Sequence, residues 1–316
     1  MTNRIQRFIA FLLVLCIPIF AIAGCTNNDV ANAANQVTTN ANGTYSIDTK
    51  TTTPEGKLDV YMLDIGQGDA ILLKVGDEYS MIDTGDIEHR ENIVAQLKTM
   101  GVTKLKNIII THPHADHMGG FYAIAKAMPI EHVYDDGIAV DNNMYKTYEK
   151  WIEKNKIQRT TLRSGDVVDF GHGAVFIVYA PWVEPLTDKK GETDLNNNSI
   201  VGKLIFGKFS MLFTGDAELQ EEKKLIKEQN SRLFSRILKV GHHGSRTSSS
   251  EDFLKSIKPE SALISNGMYN KYGHPHDVTL RRLQENNIAI YRTDTMGRIH
   301  TVSYTHLRAH ETLANL

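Results

Sequence analysis

Apolar residues between positions 57 and 301 fall into short runs that glycine, asparagine and aspartate interrupt. Short runs bounded by turn residues are typical of buried β-strands. In the first half of the chain they predict strands at 58–63, 70–75, 79–82, 106–110 and 130–134. In the second half they predict strands at 174–179, 199–206, 210–213, 236–240 and 261–265.

Between these strands, apolar residues recur three and four positions apart, which is typical of helices with one buried face. This spacing predicts helices at 90–100, 118–127, 142–155, 217–229, 251–257 and 278–286. Strands that alternate with helices indicate a mixed α/β domain. The periodicity alone does not fix how the layers stack.

The run from Thr111 to Gly120 directly follows an apolar strand and contains the most informative chemistry of the chain. It carries four candidate metal ligands, namely His112, His114, Asp116 and His117. Imidazole and carboxylate donors without a thiolate suit zinc, manganese or iron rather than a structural zinc site. The alternative is a histidine-rich surface turn.

Three further segments end an apolar strand with a polar side chain. Asp83 follows 79–82, Asp216 follows 211–213, and the pair His242-His243 follows 237–240. Each segment alone is also compatible with ordinary turn chemistry. Their shared position after apolar strands favours a single site.

Together these motifs resemble the metallo-β-lactamase-fold hydrolases. The resemblance implies a four-layer αββα sandwich with the site along one edge. It further implies that Asp216 bridges two metals and that Asp83 orients a ligand histidine. We expect His243 to be the late ligand, which leaves His242 to face the substrate or support the ligands.

One position departs from the superfamily pattern, which usually carries another histidine between the first metal loop and the bridging aspartate. His132 and His172 lie in that interval but do not match the position. Residues 196–199 stand there instead, with the sequence Asn-Asn-Asn-Ser. We therefore expect two divalent metals, Zn or Mn, of which the first is weakly held.

Four segments narrow the resemblance to one branch of the superfamily: 63–70, 196–199, 242–245 and 272–276. They resemble the soluble metallo-β-lactamase-like domain of ComEC-type competence proteins, over roughly residues 57–301. The resemblance also places Asp69 among the residues that support the ligands. The membrane spans of a DNA channel are absent from this sequence, so DNA uptake itself is not implied.

Two clustered cations would supply a hydroxide near neutral pH and neutralise charge on a phosphate, which favours a phosphodiester as substrate. We expect Asp116 to bind one metal and orient the nucleophile, and His274 to donate a proton or hydrogen bond to the leaving oxygen. Asn198, Ser199 and Ser245 are candidate donors to phosphate oxygens, although each is equally plausible as a turn cap.

The sequence favours a metal-dependent phosphodiesterase or nuclease that acts on extracellular DNA. One alternative is a cell-surface phosphoesterase, such as a phosphorylcholine esterase in which Tyr269, Tyr272 and Tyr291 form a cation cage. Others are a hydrolase of small esters or lactams and a non-catalytic metal-binding lipoprotein that presents DNA.

The formal net charge of −2 and the pI near 6.7 exclude a basic field over the whole protein, so any DNA contact must be local. Candidate contacts form two groups, which ordinary solvated charges would also explain. The groups are Arg232, Arg236, Lys239 and Arg246, and Lys271, Arg281 and Arg282.

The N-terminal residues resemble a bacterial export leader. Arg4 and Arg7 precede the apolar segment 8–23, and 22–25 resembles a lipobox. We expect residues 1–24 to be a signal peptide and Cys25 to carry the lipid that anchors the protein to the membrane at the cell surface. An uncleaved anchor or an ordinary cleaved signal are the alternatives.

Residues 25–56 comprise the lipidated cysteine and a segment rich in Asn, Thr and Ala, which predicts a disordered tether. Because both cysteines, Cys16 and Cys25, lie before the predicted domain, that domain can form no internal disulfide. At the other end, 302–312 resembles the translation of a transposase adapter. We expect 302–316 to be a sequencing artefact rather than a native polar tail, so His306 and His310 are not ligand candidates.

Overall fold

The computed structural model describes residues 37–39, 45–47 and 56–304. The predicted signal peptide, Cys25 and residues 305–316 lie outside this part of the chain. Within the predicted tether, β1 (Val37–Thr39) pairs antiparallel with β2 (Tyr45–Ile47). This pairing was not predicted from the sequence.

The first large sheet has seven strands in the order β16-β3-β4-β5-β6-β7-β8. Their bounds are β3 (Lys57–Met62), β4 (Ala70–Val75), β5 (Glu78–Thr84), β6 (Leu105–Ile109), β7 (Ile130–Asp135), β8 (Gln158–Thr161) and β16 (Ile299–Tyr304). Strands β5 to β8 run parallel to one another, whereas β16, β3 and β4 pair antiparallel.

The second large sheet also has seven strands, in the order β15-β14-β13-β12-β11-β10-β9. Their bounds are β9 (Val167–Gly171), β10 (Ala174–Ala180), β11 (Val201–Phe206), β12 (Phe209–Phe213), β13 (Ile237–Lys239), β14 (Ser261–Ile264) and β15 (Ala289–Arg292). Here β12 to β15 are the parallel strands. Each sheet therefore has a parallel half whose strand ends point to one edge.

Among residues 56–304, the longer helices cover the outer faces of the two sheets, and two four-residue helices lie in connecting segments. They are α1 (Arg90–Thr99), α2 (Ala115–Met118), α3 (Phe121–Ala127), α4 (Asn143–Asn155), α5 (Leu219–Gln229), α6 (Glu251–Ile257), α7 (Asp277–Glu285) and the short α8 (Thr293–Met296). No helix among these residues is long and apolar enough to cross a membrane.

Side-chain alternation on the strands builds three apolar layers. In β10, Phe176 and Val178 pack between the two sheets, while Ile177 and Tyr179 face the helices on the outside. The remaining apolar layer lies between the first sheet and α1, α3 and α4. This is the predicted four-layer αββα sandwich, which the structure confirms.

Most predicted elements appear within two residues of the expected bounds, with one instructive break. The predicted helix 118–127 is two helices, because the chain turns at Gly119 and Gly120. A Cβ on Gly120 would lie 2.0 Å from the carbonyl oxygen of Thr84, so only glycine permits this close approach.

The last strand extends past the predicted domain boundary at residue 301. Strand β16 continues to Tyr304, and its register pairs Ser303 with Leu58 and Tyr304 with Lys57. Residues 302–304 therefore complete an edge of the first sheet. Their origin, native or adapter-derived, stays a prediction.

Candidate metal centre

The candidate ligands converge because they follow parallel strands whose carboxyl ends share one edge of the sandwich. Asp83 lies at the end of β5, and the loop 111–114 follows β6. On the facing sheet, Asp216 follows β12 and His243 follows β13. Residues far apart in sequence thereby meet at a single centre.

Four side chains form the first group, hereafter the four-residue cluster: Asp116, His117, Asp216 and His243. The Nε2 atom of His117 lies 3.2 Å from Oδ1 of Asp216, and Nε2 of His243 lies 3.6 Å from the same oxygen. His243 Nε2 is also 3.4 Å from Oδ2 of Asp116. These spacings suit four ligands around one divalent cation.

A second group, hereafter the three-residue cluster, consists of His112, His114 and the same Asp216. His112 Nε2 lies 3.8 Å from Oδ2 of Asp216 and 3.0 Å from Nδ1 of His114. The two carboxylate oxygens of Asp216 thus face different clusters. Asp216 is positioned to bridge two cations.

Unsatisfied buried atoms show that these residues fit a metal. His117 Nε2, His243 Nε2 and Asp216 Oδ1 are buried and have no hydrogen-bond partner among the described residues. Leaving such atoms without a partner costs roughly 1–3 kcal/mol each, and more for charged groups. A divalent cation coordinated by all three would remove this penalty.

The charges in the centre are strongly coupled. Burial lowers the pKa of His112 well below its usual value, which keeps this imidazole neutral as a ligand must be. Burial also acts against the charged form of His243, but the carboxylates of Asp216 and Asp69 raise its pKa to about 10, so a cation that binds there must displace a proton from this imidazole. For Asp216, attraction to His117 and His243 outweighs burial and holds its pKa well below the usual range.

Asp83 hydrogen-bonds to the loop after β6 and to one candidate ligand, His117. Its Oδ1 accepts a hydrogen bond from the backbone N–H of Thr111 at 2.7 Å, and its Oδ2 accepts one from the Thr111 hydroxyl at 2.8 Å. Oδ2 also lies 2.8 Å from Nδ1 of His117. An imidazole held at Nδ1 presents Nε2 to the metal.

We expect Asp83→Asn to weaken metal binding at the four-residue cluster by roughly 10–100-fold, because His117 loses its charged orienting partner. Isothermal titration calorimetry with Zn²⁺ would measure this change in affinity. Asp166→Asn, which alters an exposed carboxylate in the loop before β9, is the control and should bind metal as the wild type does. Equal affinity in Asp83→Asn and wild type would contradict the orienting role.

Asp69 supports the centre through a buried ion pair with Lys239. Both side chains are at most 2% exposed, and the Lys239 ammonium also donates to the carbonyl of Gly215 at 3.2 Å. Asp69 Oδ1 lies 3.5 Å from Nδ1 of His243. The prediction that Lys239 contacts DNA from the surface is therefore wrong, because Lys239 is enclosed beneath the ligands.

Asp69, Asp83 and His117 also lie close enough together to be a third candidate cluster. However, Lys239 already neutralises Asp69, and Asp83 is engaged by Thr111 and His117. These carboxylates therefore serve to hold the ligands rather than to bind a further cation.

His242 lies at the rim of the centre, next to His243. Its Nδ1 lies 2.9 Å from Oε1 of Glu218, and its Nε2 lies 3.6 Å from Oδ2 of Asp216. The side chain is 24% exposed, in contrast to the 1% exposure of His243. The geometry thus places His243 among the enclosed ligands and His242 between the centre and solvent.

The family follows from comparison with known proteins. Residues 63–267 match the family described as Metallo-beta-lactamase superfamily. The chain belongs to the metallo-β-lactamase superfamily. The metallo-β-lactamase fold protein YhfI from Bacillus subtilis has the same fold, with a TM-score of 0.53 and 10% identity over 78% of this chain and 100% of that one.

Within the superfamily, the sequence relatives are competence proteins of the ComEC type. Competence protein ComA of Neisseria gonorrhoeae is 30% identical over 78% of this chain and 32% of its own length. ComE operon protein 3 of Bacillus subtilis is 29% identical over 78% of this chain and 33% of its own length. The chain thus spans about a third of the length of these relatives, and the predicted resemblance is confirmed.

The position where the superfamily usually carries another histidine is occupied by the asparagine-rich segment. Asn198 is fully buried, and its amide bonds the backbone of Leu186 and Asp194. Ser199 is also fully buried, where its hydroxyl accepts from the Asp216 N–H at 3.0 Å and lies 3.3 Å from His112 Nδ1. Both side chains brace the centre from inside, and their complete burial favours the capping alternative over the predicted contact with a phosphate.

Ser245 is likewise directed into its own turn. Its hydroxyl lies 2.8 Å from that of Thr247, and its carbonyl accepts a hydrogen bond from Thr279. At 5% exposure it offers little to a phosphate. The alternative of a turn cap describes Ser245 better than the predicted substrate contact does.

His274 does reach the rim of the metallo-β-lactamase site. Its ring centroid lies 5.4 Å from that of His242, and its Nδ1 has no hydrogen-bond partner among the described residues. Burial, together with the charges of His243 and His242, lowers the pKa of His274 to about 4. A neutral imidazole can donate a hydrogen bond, but it does not carry the extra proton that a general acid gives up. Of the two predicted roles, hydrogen bonding to the leaving oxygen is therefore favoured for His274.

The three tyrosines considered for a choline cage do not converge. Tyr269 is 97% exposed, Tyr272 stacks on His274, and Tyr291 packs against the apolar layer between the sheets. A cation cage requires the ring faces to surround one point. The structure therefore gives no support to phosphorylcholine recognition by these residues.

The fold changes which of the predicted basic residues lie close together. Arg232 and Arg236 precede β13, at the end of that strand remote from His243, and Arg236 pairs with Glu260. Arg246 and Arg282, predicted in different groups, lie together because Arg282 donates to the Arg246 carbonyl. The first predicted group is therefore not a single surface, because Lys239 is buried and Arg246 lies beside Arg282 instead. Glu218, which contacts His242, was not predicted because no motif distinguishes it.

Proposed function

We propose that this protein is a metal-dependent phosphodiesterase that cleaves DNA at the cell surface. The observation that carries the proposal is the division of the Asp216 carboxylate, one oxygen of which faces each ligand cluster. A bridging carboxylate is the feature expected of a site that holds two cations side by side. Such sites are common among enzymes that cleave phosphodiesters.

Two divalent cations bound there would provide a nucleophile at neutral pH and neutralise charge on the attacking and leaving oxygens of a phosphodiester. Asp116 is a partly exposed candidate ligand, with a side chain 23% exposed at the opening of the centre. It is therefore placed to orient the nucleophile. His274, at the same opening, is placed to donate a hydrogen bond to the leaving oxygen.

Two considerations support DNA as the substrate. Three relatives of this chain, 29–30% identical to it, are named as competence, ComE operon and recombination proteins. In addition, nitrogen and oxygen ligands without a thiolate suit the cations that phosphodiester cleavage uses. A metal-binding lipoprotein that only presents DNA would use Asp116 as a ligand but would not need a carboxylate at the opening of the centre to orient a nucleophile.

We propose that the protein acts at the outer face of the cytoplasmic membrane through a lipid on Cys25. The support comes from the sequence alone, in which the basic and apolar segments of a leader precede the lipobox 22–25. DNA at that location would be extracellular.

The purified protein is expected to hydrolyse DNA and bis-p-nitrophenyl phosphate when Mn²⁺ or Zn²⁺ is present, and to lose activity in a chelator. Asp116→Ala should lower the rate by roughly 100-fold or more, because it removes a ligand and the group that orients the nucleophile. Asp141→Ala, at an exposed aspartate before α4, is the control and should retain full activity. Initial rates on single-stranded and double-stranded DNA measure the effect.

Hydrolysis of the small diester without DNA cleavage would contradict the nuclease proposal and favour a small-molecule or wall-polymer phosphodiesterase. Tight metal binding without turnover of any substrate would favour the DNA-presenting role instead.

A further inference from the structure

A basic cleft lies beside the metal centre, formed by α5, the segment after His243 and α7. Its volume is about 790 Å³. Five cationic side chains line it, and we define the basic cleft by them: Lys223, Lys224, Lys227, Arg246 and Arg282. They come from three separate stretches of sequence, so no continuous run of basic residues marks the cleft in the sequence.

The cationic side chains of the cleft are free to contact a ligand, whereas its carboxylates already accept hydrogen bonds from neighbouring side chains. Lys223, Lys227 and Arg246 are exposed and form no ion pair among the described residues. The acids lining the cleft are Glu218, which His242 and Thr247 contact, and Glu228, which accepts from the indole of Trp182. The cleft is thus locally positive in a protein of net charge −2.

Fixed contacts keep the walls of the cleft in place. Arg282 donates to the carbonyls of Ser248 and Ser249, and Glu222 on α5 accepts the backbone N–H of Ser250 at 3.0 Å. Lys224 lies over the ring of Trp182 at 4.0 Å. Because the walls are braced, the exposed lysines project from a preformed surface, and less entropy is lost when a ligand binds.

One histidine separates the cleft from the metal centre. Glu218 belongs to the lining of the cleft and lies 2.9 Å from Nδ1 of His242. The opposite nitrogen of His242 lies 3.6 Å from the Asp216 carboxylate. A chain of phosphates with one phosphate at the metal centre would therefore place its neighbours at the cleft.

We propose that the basic cleft binds the sugar-phosphate backbone of a nucleic acid strand whose scissile phosphate lies at the metal centre. This inference rests on the proposed function and assigns the surface that function needs. Lysine and arginine contacts to phosphates fix the position of a strand without reading its sequence. Because the cleft is concave and adjoins the centre, it suits a polymer in the site better than a flat membrane surface.

Lys223→Ala/Lys227→Ala tests the cleft, with Lys150→Ala/Lys154→Ala as the matched control. Both pairs are exposed lysines four residues apart on a helix, but the control pair is on α4, over the other sheet. Binding of a fluorescent single-stranded phosphorothioate oligonucleotide, which resists hydrolysis, is followed by anisotropy with the metal-loaded protein over a range of salt concentrations.

The cleft variant should bind the oligonucleotide roughly tenfold more weakly, and its salt dependence should be shallower by about 1.4 in slope, as two lost phosphate contacts require. The ratio of kcat/KM for DNA to that for bis-p-nitrophenyl phosphate should fall by a similar factor, since the small diester cannot extend into the cleft. The control pair should change neither quantity.

Equal weakening in the cleft variant and the control would overturn the proposal, because it would show only an effect of total charge. Lost binding to vesicles containing phosphatidylglycerol, with oligonucleotide binding intact, would assign the cleft to a membrane and also overturn it. If the wild type cleaves no DNA, the proposed nuclease fails, whereas cleft-dependent binding of the oligonucleotide would still support a nucleic acid surface.

Discussion

Replacing Asp216 with asparagine is expected to remove both metal sites together and to reduce phosphodiester hydrolysis by roughly 1,000-fold or more. Asp216 is the residue that the two clusters share, and each of its oxygens faces a different one. Metal ions supply several kcal/mol of transition-state stabilisation, and about 1.4 kcal/mol corresponds to a tenfold change in rate. Asparagine keeps the shape but lacks the charge and the second oxygen.

Metal content per chain, measured by inductively coupled plasma mass spectrometry after dialysis, is the decisive readout for Asp216→Asn. Asp59→Asn is the matched control, because Asp59 is another buried aspartate beside a histidine, with Oδ1 2.7 Å from Nε2 of His300. That variant should retain its metal. If Asp216→Asn still binds two ions per chain, Asp216 does not bridge them and the account of the centre is wrong.

Lys239→Ala is expected to destabilise the fold by about 3–5 kcal/mol, because it leaves the Asp69 carboxylate buried without its partner. Asp69 and Lys239 are both almost completely buried and form an ion pair. The pKa of Asp69 reflects this arrangement, since burial opposes its charge while Lys239 and His243 hold the pKa below its usual value. Urea denaturation, monitored by circular dichroism, measures the decrease in the free energy of unfolding.

A double variant separates the pair from ordinary packing. In Asp69→Asn/Lys239→Met no charge is left unpaired, so this protein should recover a large part of the stability that Lys239→Ala loses. DNA binding at the basic cleft should be unaffected in the double variant, apart from any change in folded fraction. Stability of Lys239→Ala within about 1 kcal/mol of the wild type, a range typical of exposed ion pairs, would show that the pair is not buried as described.

The sequence predicted those features that depend on local pattern. Apolar runs located most strands of the two sheets, and the order of motifs after those strands identified His112, Asp116, Asp216 and His243 as neighbours. The strands β8, β9 and β15 were not predicted, because polar residues or glycine leave each of these four- or five-residue strands without a sustained apolar run.

The remaining features depend on which residues the fold brings together across long separations. Lys239 looked like a surface cation until the structure placed it against Asp69, 170 positions earlier in the chain. Asn198 and Ser199 lie near the centre in sequence order, yet their side chains point into the protein. A sequence pattern gives position along the chain but not the direction of a side chain or its partner.

Anomalous diffraction from crystals of the protein grown with Mn²⁺ would show whether Asp216 joins two metal sites. We expect two manganese peaks, about 3.5–4 Å apart as in two-metal hydrolase sites, with the Asp216 carboxylate between them. One peak is expected among Asp116, His117 and His243, and the other beside His112 and His114. A single peak, or two peaks that Asp216 does not join, would contradict the account.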